Sequence, residues 1–298
     1  MNLRTGQWCC IALTRRMGTM AWKPIAPFRW VLLTALVAGF THPPAVYGLE
    51  KDIPSGMILI PAGEFMIGRS GGPKNEAPSH RLQLPAFWID RKLVTQRQYA
   101  DFMNTIQLPQ AHGGPPGAHY FNYDDPDARI RFEQGRWQAD PGFEQNPAAE
   151  VSLPGAEAYC RHLGRRLPNE AEWEKAARGS DARLYPWGNE RPSKRTVHFA
   201  NFHGHTAPVG SLAEGASPYG VLDMGALLSE WNRSAHRPYP YQKGDGREDL
   251  TAEAARVLRG GVELGQRGPR TATHREVMSP RRQRAGHAYV GFRCGKDK

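Results

Sequence analysis

The chain has 298 residues, enough for one large domain or two small ones, and a formal net charge of +10. Its hydrophobic content of 40% is ample for a folded core and excludes global disorder. The 32 glycines and 25 prolines indicate many turns and long irregular segments, which excludes a helical bundle.

Residues 1–48 have the pattern of a secretory signal. Arg15, Arg16, Lys23 and Arg29 precede the apolar run Val31–Phe40, and no acidic residue comes before Glu50. The apolar run is about half as long as a membrane-spanning helix. We expect cleavage near Gly48 and a periplasmic or secreted protein. The alternative is an uncleaved N-terminal anchor, which would be the chain's only membrane contact.

Removal of the signal on export would change both the net charge and the number of cysteines in the protein. Removing the five Lys and Arg residues of 1–48 lowers the net charge from +10 to about +5. The basic residues between Arg256 and Arg293 are not interleaved with stacking aromatics, so we expect no nucleic-acid partner. Cys9 and Cys10 lie in the signal. The remaining pair, Cys160 and Cys294, favours a disulfide in an oxidising compartment.

The first predicted elements are short strands. Met57–Ile60 and Glu64–Gly68 have strand character and are separated by Pro61-Ala-Gly63, and strand character returns from Leu82 to Asp90. No repeat or low-complexity linker divides the chain after residue 48. We therefore predict one α+β domain at 49–298.

Three helices are predicted from their capping residues. The helix starts are Thr95 with Gln98, Ser152, and Asn169 with Glu172. In the first helix, Tyr99, Phe102, Met103 and Ile106 recur at the spacing of one helix face. Gly164 and Gly179 are predicted to end the second and third helices.

Three further patterns are better explained as loops. A G-x-S-x-G sequence at Gly68–Gly72 lacks the helix that a hydrolase nucleophile needs, because Pro73 and Pro78 follow it. Three histidines could hold zinc or copper, and three aspartates calcium, but neither spacing matches a standard site. These residues are His198, His203 and His205, and Asp124, Asp125 and Asp127.

Nine longer runs carry a more specific signal. They are Met57–Gly68, Glu76–His80, Phe87–Asp90, Val94–Phe102, Asn146–Gly179, Tyr185–Asn189, Pro218–Met224, Arg256–Gly261 and Gly291–Cys294. In this order they resemble the formylglycine-generating-enzyme family, the sulfatase-modifying factors. The resemblance covers nearly all of residues 49–298, and its first run looks like that family's first hairpin.

The resemblance implies a C-type-lectin-like α+β fold with low regular secondary structure, several short helices and small antiparallel sheets. It also implies a Cys160–Cys294 disulfide. Formylglycine synthesis in the family needs two cysteines that hold Cu(I), and Gly265 and Arg270 stand at their positions. Neither residue can ligate Cu(I), so copper is not expected.

The resemblance bears on calcium in two places. Leu227 replaces an asparagine that helps to bind a structural calcium, so that site is not carried over. Asn201 and Phe202 match a second site and predict a possible structural calcium.

The segment Gly261–Arg270 takes the place of the copper-binding strand and is expected to line the family's groove. The candidate residues are Glu263, Arg270 and Glu230 for catalysis, and Trp231, Gln266 and Arg267 for binding. Arginine forks suit carboxylates or phosphates, and Glu263 could serve as a base. The alternative is that Glu263 and Arg267 form a surface ion pair worth under about 1 kcal/mol.

We predict an exported family member that lacks copper-dependent formylglycine synthesis. It would act as an accessory, maturation or binding protein for another exported protein or peptide. The alternative is an oxidoreductase of altered chemistry in the same groove, and a true sulfatase-activating enzyme is a third reading. Resemblance of the scaffold alone does not choose between them.

Overall fold

The computed structural model describes residues 54–106, 114–115, 117–198, 206–261 and 270–298. They belong to one compact unit, Lys51–Lys298. The predicted signal, residues 1–48, lies outside the described residues. In the part of the chain that is described, no helix is long and apolar enough to cross a membrane.

The described strands are short. In chain order they are β1 Met57–Ile60, β2 Gly63–Ile67, β3 His80–Leu84, β4 Phe87–Asp90, β5 Ile130–Glu133, β6 Arg136–Ala139, β7 Ser229–Ala235, β8 Arg256–Gly260, β9 Glu276–Met278, β10 Val290–Gly291 and β11 Gly295–Asp297. They form a three-stranded sheet β1-β4-β11, a four-stranded sheet β10-β7-β8-β9, and the pairs β2-β3 and β5-β6. All pairings are antiparallel except β10 with β7.

The predicted first hairpin is wrong. β1 pairs with β4 and β2 pairs with β3, so the two strands belong to different sheets. The connection between them is held by Lys175, whose Nζ donates to the carbonyls of Pro61 at 2.7 Å and Gly63 at 3.0 Å. The connection between β1 and β2 is therefore held by a residue far along the chain, and not by hydrogen bonds between the two strands.

The predicted helix starts are confirmed. The helices are α1 Gln96–Thr105, α2 Leu153–His162, α3 Glu170–Arg178 and α4 Pro280–Gln283, with short 3-10 helices at Lys74–Glu76 and Ala213–Gly215. Thr95 with Gln98 and Asn169 with Glu172 form complete capping boxes, and Ser152 caps α2. Only the three-residue 3-10 helix follows Gly68–Gly72, so the loop interpretation of that motif is also confirmed.

The core has a large aromatic cluster between α1 and α2. Tyr99 and Phe102 of α1 pack against Tyr159 of α2, and both tyrosines pack against Phe292. The predicted periodic face of α1 therefore points inwards. A second cluster joins Trp173 of α3 to the apolar faces of β2, β3 and β4.

Buried ion pairs join helix α3 to strand β8 and to the residue before β9. Glu174 is fully buried and accepts from Arg178 at 2.6 Å and from Arg259 of β8. Glu170 is equally buried and accepts two hydrogen bonds from Arg275, at 2.8 and 3.0 Å. Each of these charges has a partner, as burial of charge requires. This network fixes strand β8, whose end lies beside the candidate site.

Candidate functional site

The Arg259-Gly260-Gly261 sequence brings the chain into close contact with Ser229. Ser229 opens β7 and pairs with Gly260 at the end of β8. Gly261 has a φ of +82°, and a Cβ atom there would lie 2.3 Å from the Ser229 Oγ. Only glycine allows this approach. The two glycines thus place Ser229 where the chain enters residues 262–269, which lie outside the described residues.

The chain re-emerges at Arg270, beside Ser229 and Glu276. Arg270 is ion-paired with the Glu276 carboxylate, and its Nη1 also lies 3.4 Å from the Ser229 Oγ. Side-chain exposure is 13% for Arg270 and 21% for Glu276, so both can be reached by solvent. The Arg270 Nε is buried and has no hydrogen-bond partner among the described residues.

Tyr289 completes this group, which we call the Arg270 cluster: Ser229, Arg270, Glu276 and Tyr289. The Tyr289 carbonyl accepts from the Ser229 N–H at 3.0 Å, and its hydroxyl accepts from Arg282 at 2.8 Å. Burial raises the pKa of Tyr289, and the charge of Glu276 raises it further. The phenol therefore stays protonated at neutral pH. The cluster offers a guanidinium, a carboxylate and two hydroxyls, a set suited to binding a polar or anionic group.

Glu230 and Trp231 do not fit their predicted roles. Glu230 is fully buried, and both its carboxylate oxygens accept from Arg293, at 2.7 and 2.9 Å. Trp231 is also fully buried, and its Nε1 donates to the Val151 carbonyl at 2.8 Å. Because these contacts are internal, Glu230 is a framework ion-pair partner and Trp231 is a core residue. We therefore correct the predictions of a catalytic role for Glu230 and a binding role for Trp231.

The other predicted site residues cannot be placed. Glu263, Gln266, Arg267, Asn201 and Phe202 lie outside the described residues. Their roles therefore remain predictions, as does the alternative ion pair between Glu263 and Arg267. Of the predicted groove residues, Arg270 is the one that the described structure places in the cluster.

Sequence reasoning missed Ser229, Glu276 and Tyr289. Ser229 lies next to Glu230, but nothing in its local pattern marks it as close to the end of β8. Glu276 comes six residues after Arg270 and approaches it because β9 pairs with β8, with Leu258 opposite Glu276. The close approach at Gly261 was the usable signal, since a glycine pair after a strand indicates tight backbone contact.

The predicted Cys160–Cys294 disulfide is present. It joins α2 to the residue before β11, with a Cα–Cα distance of 5.6 Å across a sequence separation of 134. Both cysteines are fully buried. They are the only two cysteines that follow Cys10 in the sequence. While the disulfide is intact, residues 49–298 therefore have no thiolate to hold Cu(I).

The calcium expectation bears on Asp223, a fully buried carboxylate that precedes Leu227. Its Oδ2 accepts from the Gly210 N–H at 2.8 Å, and its Oδ1 has no hydrogen-bond partner among the described residues. Burial raises the pKa of Asp223 to about 6. The neighbouring Glu230 is already neutralised by Arg293. Among the described residues no three His, Cys, Asp or Glu side chains form a metal-binding group. These residues supply one free carboxylate oxygen, fewer than calcium needs, so we derive no role for calcium here.

The fold and site define an α+β protein with a buried ion-pair framework and a polar cluster in place of a thiolate pair. The family pattern of the sulfatase-modifying factor enzyme 1-like domain matches residues 46–298. The chain therefore belongs to the family that contains the formylglycine-generating enzymes.

Two proteins are similar to this chain in sequence and one in fold. The chain is 26% identical over 295 residues to the formylglycine-generating enzyme of Mycobacterium tuberculosis, covering 81% of this chain and 97% of that one. It is 32% identical over 247 residues to the serine/threonine-protein kinase Pkn1 of Chlamydia trachomatis, covering 81% of this chain. It spans 38% of that kinase's length. PvdO from Pseudomonas aeruginosa has the same fold, with a TM-score of 0.55, 20% identity, and 81% and 94% coverage.

Proposed function

We propose that this protein is an exported accessory or binding protein that acts on another exported protein or peptide, and that it does not make formylglycine. The observation that carries the proposal is the buried disulfide, because it takes up both cysteines that follow Cys10 in the sequence. The Arg270 cluster supports the binding role. An oriented guanidinium beside a carboxylate and hydroxyls recognises polar groups without redox chemistry.

Copper loading is expected to leave a Cys-x-Pro-x-Arg peptide unchanged. The position of one family cysteine is held by Arg270, which is paired with Glu276, so no Cu(I) thiolate pair can form there. Mass spectrometry of the peptide after aerobic incubation measures this outcome. The Mycobacterium tuberculosis formylglycine-generating enzyme is the positive control. Loss of sulfur with aldehyde formation by this protein would refute the proposal.

A charge swap separates recognition from structure at the Arg270 cluster. The single variants Arg270→Ala and Glu276→Ala are expected to fold and to fail to restore the phenotype of a deletion strain. The double variant Arg270→Glu/Glu276→Arg keeps an ion pair but moves its charges. We expect it to have a Tm close to that of the wild type and still to fail in the strain, because a bound group would meet the opposite charges.

The matched control is the exposed pair Arg284–Glu253, whose side chains are 75% and 77% exposed. Swapping these charges as Arg284→Glu/Glu253→Arg should restore the phenotype fully. If the swap of Arg270 and Glu276 also restores it, the pair is structural and is not the working site.

A further inference from the structure

A separate cleft lies between the end of β4, the start of α1 and the end of α2. Its volume is about 440 Å³, which is within the range of small-ligand sites. It shares no lining residue with the Arg270 cluster. The chemistry of the cleft comes from Asp90, Arg91, Lys92, Tyr159, Leu163 and Arg165.

The floor of the cleft is a neutralised carboxylate. Asp90 Oδ1 accepts from Arg165 at 2.6 Å, and Oδ2 accepts from the Cys294 N–H at 2.8 Å. The Arg165 backbone N–H donates to the Cys160 carbonyl at 2.8 Å. Asp90 and Arg165 are therefore each hydrogen-bonded to the backbone of a disulfide cysteine. These contacts hold the floor of the cleft in place, and Arg165 balances the negative charge of Asp90.

The mouth of the cleft carries two exposed cations, Arg91 and Lys92. Neither side chain forms a hydrogen bond or an ion pair with a described residue, although the Lys92 Nζ lies against Gly210 and its charge favours the ionised form of the buried Asp223. Surface arginines elsewhere are often paired, for example Arg81 with Glu64 and Arg195 with Glu214. Two adjacent cations above a neutral floor give the cleft a positive field that attracts an anion.

One wall of the cleft is apolar. Leu163 is 44% exposed, and among the described residues only Val277 is another exposed large hydrophobic. Tyr159 lies beside it, and its hydroxyl makes no hydrogen bond with a described residue. Burial raises the pKa of Tyr159 to about 12, so the hydroxyl remains a donor at neutral pH. An occupant can therefore bury apolar atoms on Leu163 and accept a hydrogen bond from Tyr159.

We infer that this cleft binds a carboxylate that carries an apolar group, with the carboxylate at Arg91 and Lys92 and the apolar group on Leu163 and Tyr159. A peptide end or an acidic side chain beside an apolar residue has this chemistry, and so does a free acyl amino acid. The inference does not rest on the Arg270 cluster. Its test can therefore fail or succeed independently of the proposed function.

The test compares N-acetyl-leucine with N-acetyl-leucinamide, in which a neutral carboxamide replaces the charged carboxylate. Binding to the full-length protein is measured by calorimetry or saturation-transfer NMR at millimolar probe concentrations. We expect the acid to bind at least about fivefold more tightly than the amide, because the guanidinium and ammonium groups favour the charged form. The double variant Arg91→Gln/Lys92→Gln should remove this preference.

A matched variant controls for net charge. Arg191 and Lys194 are also exposed cations, and Arg191→Gln/Lys194→Gln removes the same charge from another surface. This variant should bind like the wild type. Leu163→Ala should weaken binding of N-acetyl-leucine but leave binding of acetate unchanged.

Four results would each overturn the inference. They are equal binding of acid and amide, equal loss in the two charge variants, no detectable binding of either probe, and displacement by an equal concentration of inorganic phosphate. A short peptide ending in a free leucine carboxylate, compared with its amide, then tests the source of the carboxylate. Tighter binding of the peptide than of N-acetyl-leucine supports a peptide end, and tighter binding of N-acetyl-leucine supports a free acid.

Discussion

Replacing Glu230 by alanine is expected to lower the free energy of unfolding by about 3–5 kcal/mol. Glu230 and Arg293 are both fully buried and joined by two hydrogen bonds, at 2.7 and 2.9 Å. The same guanidinium donates to the carbonyls of Leu222 at 2.9 Å and Asp90 at 3.1 Å. Without Glu230, Arg293 would keep a buried, uncompensated charge and could not turn to water without breaking these contacts. Equilibrium unfolding in urea measures the loss.

The exposed pair Arg284–Glu253 is the control for this prediction. Glu253→Ala removes the same kind of group where side-chain exposure is 77%, so the expected loss is under about 1 kcal/mol. Equal losses in the two variants would contradict the interpretation of Glu230 as a framework residue. A preserved fold with an unchanged urea midpoint in Glu230→Ala would reopen Glu230 as a site residue.

Opening the Cys160–Cys294 disulfide is expected to lower the free energy of unfolding by about 5 kcal/mol. The bridge spans a sequence separation of 134, and closing so long a loop removes much of the entropy of the unfolded chain. The reduced wild-type protein and the Cys160→Ala/Cys294→Ala variant should both have lower urea midpoints. The variant also loses packing, because both positions are fully buried.

Alkylation of the unfolded, non-reduced protein tests whether the bridge forms. Peptides that contain Cys160 and Cys294 should remain unmodified until a reductant is added. Alkylation of both peptides without a reductant would overturn the pairing. If the bridge forms but reduction leaves the urea midpoint unchanged, the loop-entropy account is wrong while the pairing stands.

The parts of the fold that sequence predicted well depend on neighbouring residues. Thr95 with Gln98 and Asn169 with Glu172 satisfy backbone donors three residues away, so the pattern predicts the helix start directly. The strands Met57–Ile60 and Gly63–Ile67 also have recognisable patterns. Their partners do not, because pairing is decided by groups that lie far away in the chain. The predicted hairpin failed for this reason.

The candidate site shows the same division. Arg270 was found because its place after the Arg-Gly-Gly motif is readable along the chain. Glu276, Ser229 and Tyr289 join it only through strand pairing and one backbone hydrogen bond. Glu230 was misassigned because its partner, Arg293, is 63 residues away. A charged residue inside a family motif looks the same in sequence whether it is a ligand or a buried counter-ion.

The sequence alone determined the family, the starts of the three longer helices and the presence of only one cysteine pair after residue 48. These properties depend on residue identity, on counting or on contacts within a few residues. Only the tertiary structure decided which strands pair, which carboxylates are buried counter-ions and which polar groups meet at Arg270. Those outcomes depend on contacts between distant segments, and whether a charge faces water or an internal partner is settled only when the whole chain has packed.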